Sequence, residues 1–198
     1  MSTFFHQADA QKLSFEQAKP YLEAFQKSIE IPKEYQFHSV EKVKIDKVTA
    51  YLFRYEKTEN KGMRGEHFSF VISEKEKKIL GFTLMDKRYS EEKWLSKQET
   101  EQVAKKFLQE IDNTLAEGLK NLWIEPHNEE IIINGKSLSI NGMKYKCFRP
   151  SHNDYAWVIV GSDRTIITFE RDILWDNHQQ KRITEKWLHD NWKIKNNK

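Results

Sequence analysis

The sequence predicts an α+β fold: two tandem units, each a helix followed by an antiparallel meander, with a further helix closing the chain. Two observations carry this expectation. The stretch 67–82 recurs 87 positions later without a gap, so that Phe68, Phe70, Val71, Ile72, Ile79, Leu80 and Phe82 fall on Tyr155, Trp157, Val158, Ile159, Ile166, Ile167 and Phe169. Each copy reads as a strand, a polar turn and a returning strand, and the second turn carries Gly161-Ser162-Asp163, a hairpin signal. A helical pattern recurs with nearly the same offset, Ala18, Leu22 and Phe25 falling on Ala104, Leu108 and Ile111. The boundary is set at 1–95 and 96–198, two units that can pack as one compact body.

Taken in order, residues 13–30 read as a helix. Ser14 and Gln17 form a capping box, and Phe15, Ala18, Leu22, Phe25 and Ile29 form one apolar stripe, with Pro20 as a local conflict. Residues 35–45 and 48–56 follow as strands around Asp46-Lys47, the second rich in β-branched and aromatic residues. A polar loop, 57–66, leads to the first hairpin at 67–86. A charged connector, 87–97, then leads to a second helix, about 97–113. In the second unit, 123–126 and 130–133 are strands before an Asn134-Gly135 turn; 138–140 returns, Asn141-Gly142 turns again, and 143–149 precedes the second hairpin at 155–173. A last helix is expected at about 180–192, with Ile183, Trp187 and Leu188 on one stripe.

Composition limits the function classes. The 198 residues are 38% hydrophobic, 32% charged and 13% aromatic, which describes a folded, highly charged protein. Net charge is +3, with 33 basic and 30 acidic residues mixed along the whole length, so the basic stripe of a nucleic-acid binder is missing and no nucleic-acid partner is expected. The basic tail, 193–198, reads as a fraying terminus. One cysteine, Cys147, excludes an internal disulfide and a cysteine metal site. No apolar run reaches 18 residues, so no integral membrane segment is expected. The first ten residues lack the pattern of an export signal. That leaves the cytoplasm if Met1 is the native start, and the cell envelope or exterior if such a signal was removed.

The stretches 71–82 (Val-Ile-Ser-Glu-Lys-Glu-Lys-Lys-Ile-Leu-Gly-Phe) and 96–108 (Ser-Lys-Gln-Glu-Thr-Glu-Gln-Val-Ala-Lys-Lys-Phe-Leu) resemble the PepSY and PepSY-like domains of bacterial envelope proteins. The likeness covers about half the chain, and the second hairpin departs from it at Thr168, where the first has Gly81. The resemblance implies a helix packed on a small antiparallel sheet. It also implies a non-enzymatic module that binds or restrains other proteins, with no catalytic residues to carry over.

The chemistry-bearing residues give no reaction. His178 and His189, with Asp176 and Asp190 beside them, would lie about 16 Å apart on one helix, too far for one ion. Cys147 precedes His152 by five residues, but it falls inside a strand, where it reads as a small core residue. No metal or cofactor is expected. The aromatic C-terminus is the better candidate: Trp175, Trp187 and Trp192, with Arg171 and Asp176, read as a partner-binding surface. The expected function is therefore a binding or regulatory protein that takes a protein or peptide partner through a groove or sheet edge. The alternative is a small-molecule-binding or enzymatic domain with a pocket drawn from His152, Asp154, Trp157, Trp175 and Asp176.

Overall fold

The computed structural model describes residues 11–196. Strand β1 (Gln11–Lys12) precedes helix α1 (Phe15–Gln26), and strands β2 (Gln36–Ile45), β3 (Val48–Glu56), β4 (His67–Ser73) and β5 (Ile79–Met85) follow. Helices α2 (Lys97–Ile111) and α3 (Asn113–Gly118) lead to β6 (Lys120–Ile133), β7 (Lys136–Arg149), β8 (Asp154–Val160) and β9 (Ile166–Ile173). A small hairpin, β10 (Trp175–Asp176) and β11 (Lys181–Arg182), and helix α4 (Asp190–Lys195) complete the order.

The expected pair of helix-plus-meander units is corrected by the sheet. Strands β1 to β9 form one antiparallel sheet in the order β1-β2-β3-β4-β5-β9-β8-β7-β6. The molecule is thus dominated by a single large sheet carrying short helices. The physical reason is edge satisfaction: β5 and β9 would each leave a row of unpaired backbone groups, and instead they pair with each other. Gly81 lies opposite Glu170, Phe82 opposite Phe169 and Thr83 opposite Thr168. The two hairpins that match in sequence therefore meet at matching positions. The core follows suit, because the Phe107 ring of α2 packs edge-on against both Phe82 and Phe169.

Capping boxes at Ser14/Gln17 and Ser96/Glu99 start α1 and α2. Their apolar stripes, Ala18, Leu22 and Phe25 and then Ala104 and Leu108, bury against one face of the sheet. The opposite face carries a smaller core of Val43, Ile45, Ala50, Leu52, Val71 and Leu80, covered by Trp187 and Leu188 from the C-terminal segment.

Three local expectations are also corrected. Residues 123–126 and 130–133 belong to one 14-residue strand, β6, which tolerates Pro126 because it is the sheet edge. Asn141-Gly142 does not turn but runs through β7. Asn141 donates its amide to the carbonyls of Ser90 and Glu91, and a Cβ on Gly142 would lie 2.6 Å from Ile159 Cγ2. The last helix is confined to Asp190–Lys195, while Trp187 and Leu188 sit in irregular chain fixed by tertiary contacts and Ile183 faces solvent. The basic tail is also drawn in: Lys193 is buried within α4, and residues 197–198 lie outside the described residues.

Candidate functional site

The site grows out of the alternation of β7. Met143, Tyr145 and Cys147 enter the core beneath the helices, so Lys144 and Lys146 point from the other face. The Lys146 ammonium lies 5.3 Å from the Trp123 ring centre, 5.2 Å from Tyr155 and 5.1 Å from Trp175, an aromatic cage filled by the chain's own cation. Lys144 Nζ lies 4.1 Å over the Trp157 ring of β8. Burial pushes this ammonium down to about 8. Among the described residues no carboxylate lies within 4.0 Å of it.

The C-terminal segment is clasped over this face by two adjacent residues. His189 Nε2 donates to Glu170 of β9 at 2.7 Å, and its Nδ1 lies 3.5 Å from Glu129 of β6. Glu129 also meets His127 Nε2 at 3.0 Å. Burial alone would lower His189, but the carboxylates of Glu170 and Glu129 outweigh it and hold the imidazolium up to about 9. Glu170 is pulled down to about 2 against its burial, chiefly by the Arg182 guanidinium and then by His189. Asp190 takes Arg54 in a fork at 2.8 and 3.0 Å and accepts the Arg64 N–H at 2.6 Å. Beside it His67 is buried, and burial lowers it to about 3, so it stays neutral.

Between this clasp and the sheet lies an open cleft of about 510 Å³. Trp157, Trp175 and Trp192 give it aromatic walls, and Lys144, Lys186 and Lys195 turn toward it. Arg182 lines it too but is spent on the fold, donating to Glu170 and to the carbonyls of Thr184 and Glu185. Among the described residues, the arrangement offers a cation with no carboxylate in contact, acted on from farther off by Glu170 and Glu129, beside flat apolar surface and a fixed back wall. That set of groups can hold an anion and stack a planar group.

The residues predicted from the sequence separate. Trp175 and Trp192 line the cleft. Trp187 stands behind it, buried, its indole N–H donating to the Lys44 carbonyl at 2.7 Å and its ring 5.2 Å from Trp192. Arg171 is buried and paired with Asp112 at 2.6 Å, while Asp176 accepts the N–H groups of His178 and Gln179 to shape the β10–β11 turn. Of the alternative pocket, Trp157 and Trp175 meet in the cleft; Asp154 is bound to Arg149, and His152 sits in an exposed turn beside Ser151. Cys147 is buried, and burial pushes its thiol up to about 11. His178 is exposed in the turn while His189 is the clasp, and among the described residues no three His, Cys, Asp or Glu side chains are grouped to hold a metal ion. No helix among the described residues is long and apolar enough to cross a membrane.

Lys144, His127, Glu129, Glu170, Arg182 and Lys186 went unremarked in the sequence, and Lys195, read there as part of a fraying terminus, lines the cleft. The signal was there for one of them: Lys144-Tyr-Lys-Cys147 has period two, which on a strand turns both lysines to one face. Comparison of the chain with family models, with curated proteins and with solved structures gives no match.

Proposed function

We propose that the chain is a non-enzymatic binding protein that takes an acidic peptide segment of a protein partner into the cleft between its C-terminal segment and β6–β8. The observation that carries the reading is Lys144, a partly buried ammonium over Trp157 that opens onto the cleft with no carboxylate within 4.0 Å among the described residues. A desolvated charge without a partner is costly, and an incoming carboxylate removes that cost. Lys186 and Lys195 at the cleft extend the positive field, and tryptophans are the side chains most often found as interface anchors. The resemblance to PepSY domains points the same way.

A labelled acidic decapeptide of Glu, Asp, Gly and Leu tests this by fluorescence anisotropy against its lysine counterpart. The acidic peptide is expected to bind, and the double variant K144E/K186E to weaken it tenfold or more, about 1.4 kcal/mol or more. Equal binding of the two peptides sinks the reading. A second reading, a small anionic ligand, draws on the cleft volume of about 510 Å³, which lies within the range of small-molecule pockets.

A further inference from the structure

The cations around the cleft differ in how they are satisfied. Arg182 donates to Glu170 and to the carbonyls of Thr184 and Glu185. His189 is shared between Glu170 and Glu129, and Lys146 is caged by three rings. Lys144 has a ring on one side and the cleft on the other. The ring face stabilises its charge but accepts no ordinary hydrogen bond, so the ammonium keeps donors for a ligand.

The surroundings choose the anion. One ammonium with no contacting carboxylate among the described residues feels the charges of Glu170 and Glu129; Glu129 is held well below its ordinary range by His127 and His189 despite its burial, and so stays charged. A singly charged carboxylate suits that balance. A doubly charged phosphate would set a second negative charge against Glu129, with only the rim lysines left to neutralise it. The cleft is also far larger than a lone carboxylate, and its walls include Trp157, Trp175 and Trp192. Flat rings of this kind favour offset or edge-on contact with another ring.

Resting on the cleft as the binding site, we propose that the unit it recognises is a carboxylate carried beside an aromatic ring, with the carboxylate on Lys144 and the ring against Trp175 and Trp192. In a peptide partner this is an acidic residue next to an aromatic one.

The probe is 3-phenylpropanoate, titrated by calorimetry and by quenching of tryptophan fluorescence, beside its uncharged amide, acetate and phenyl phosphate. The carboxylate is expected to bind at least tenfold more tightly than the amide, and acetate at least tenfold more weakly than 3-phenylpropanoate. Lys144→Met should abolish the preference for acid over amide, and Lys144→Arg should keep it; circular dichroism shows whether each variant is folded. If Lys144→Met fails to fold, retention in Lys144→Arg and loss in Lys144→Gln decide the same point. Equal binding of acid and amide, equal binding of acetate, tighter binding of phenyl phosphate, or an acid preference that survives loss of the Lys144 charge would each overturn the proposal. If the acidic decapeptide binds while 3-phenylpropanoate does not, this inference fails and the broader reading stands; if neither binds, both fall.

Discussion

His189 shows how a single side chain can set the pH response of the whole protein. Its carboxylate partners hold it charged up to about 9, above the ordinary histidine value near 6.5. Its contribution is therefore complete below about 6.5 and lost as pH rises through 9. His67 acts in the opposite sense: burial lowers it to about 3, so the unfolded chain binds a proton that the fold refuses, and stability falls as pH drops from 6.5 toward 3. Stability is expected to peak near pH 6.5 in a series of urea melts. His189→Gln should lose about 1–3 kcal/mol there and flatten the alkaline limb. An alkaline limb unchanged in the variant would remove His189 from the explanation. None of this was legible beforehand, because the sequence spacing of His189, Glu170 and Glu129 gives no sign that three separate elements bring them together.

At the scale of elements, the C-terminal segment is held by burial rather than by helical order. Trp187 is 2% exposed, closes the smaller core and donates its indole N–H to a backbone carbonyl of β2. Trp187→Ala is expected to cost about 3–5 kcal/mol in chemical denaturation. It should also weaken acidic-peptide binding, because Trp192 packs on its ring. A loss under 1 kcal/mol would mean that the segment is docked by its charges alone. Helices α1 and α2 were readable from capping boxes and apolar spacing, since both signals are local. The helical spacing of segment 180–192 is a coincidence, because Trp187 and Leu188 answer to the sheet beneath them while Ile183 faces solvent.

For the molecule as a whole, the β5–β9 pairing is the decisive contact. A single sheet crossing from β1 to β6 predicts one unfolding transition. Five of the six tryptophans follow residue 96, so fluorescence reports mainly on the second half, whereas circular dichroism reports on both. Coincident transitions are expected; separated ones would show that the halves melt independently. Gly81 permits the join, since a Cβ there would lie 2.6 Å from the Phe169 carbonyl oxygen and 3.0 Å from Leu188 Cδ1. Gly81→Val is expected to destabilise by about 1–3 kcal/mol and to speed amide exchange along β5 and β9 together. Exchange accelerated in β5 alone would argue against a shared junction.

By itself the sequence determined the two hairpins and their match, the strand pair before the first of them, and where α1 and α2 lie. These depend on spacing and on near neighbours, which the chain carries in its own order. Only the tertiary structure decided that the matched hairpins pair edge to edge, that Trp187 is buried while Trp175 and Trp192 line a cleft, and that Lys144 stands there over Trp157 with no carboxylate in contact among the described residues. Edge pairing, burial and the charges around a side chain are each set by groups far apart in sequence, and no local pattern records them.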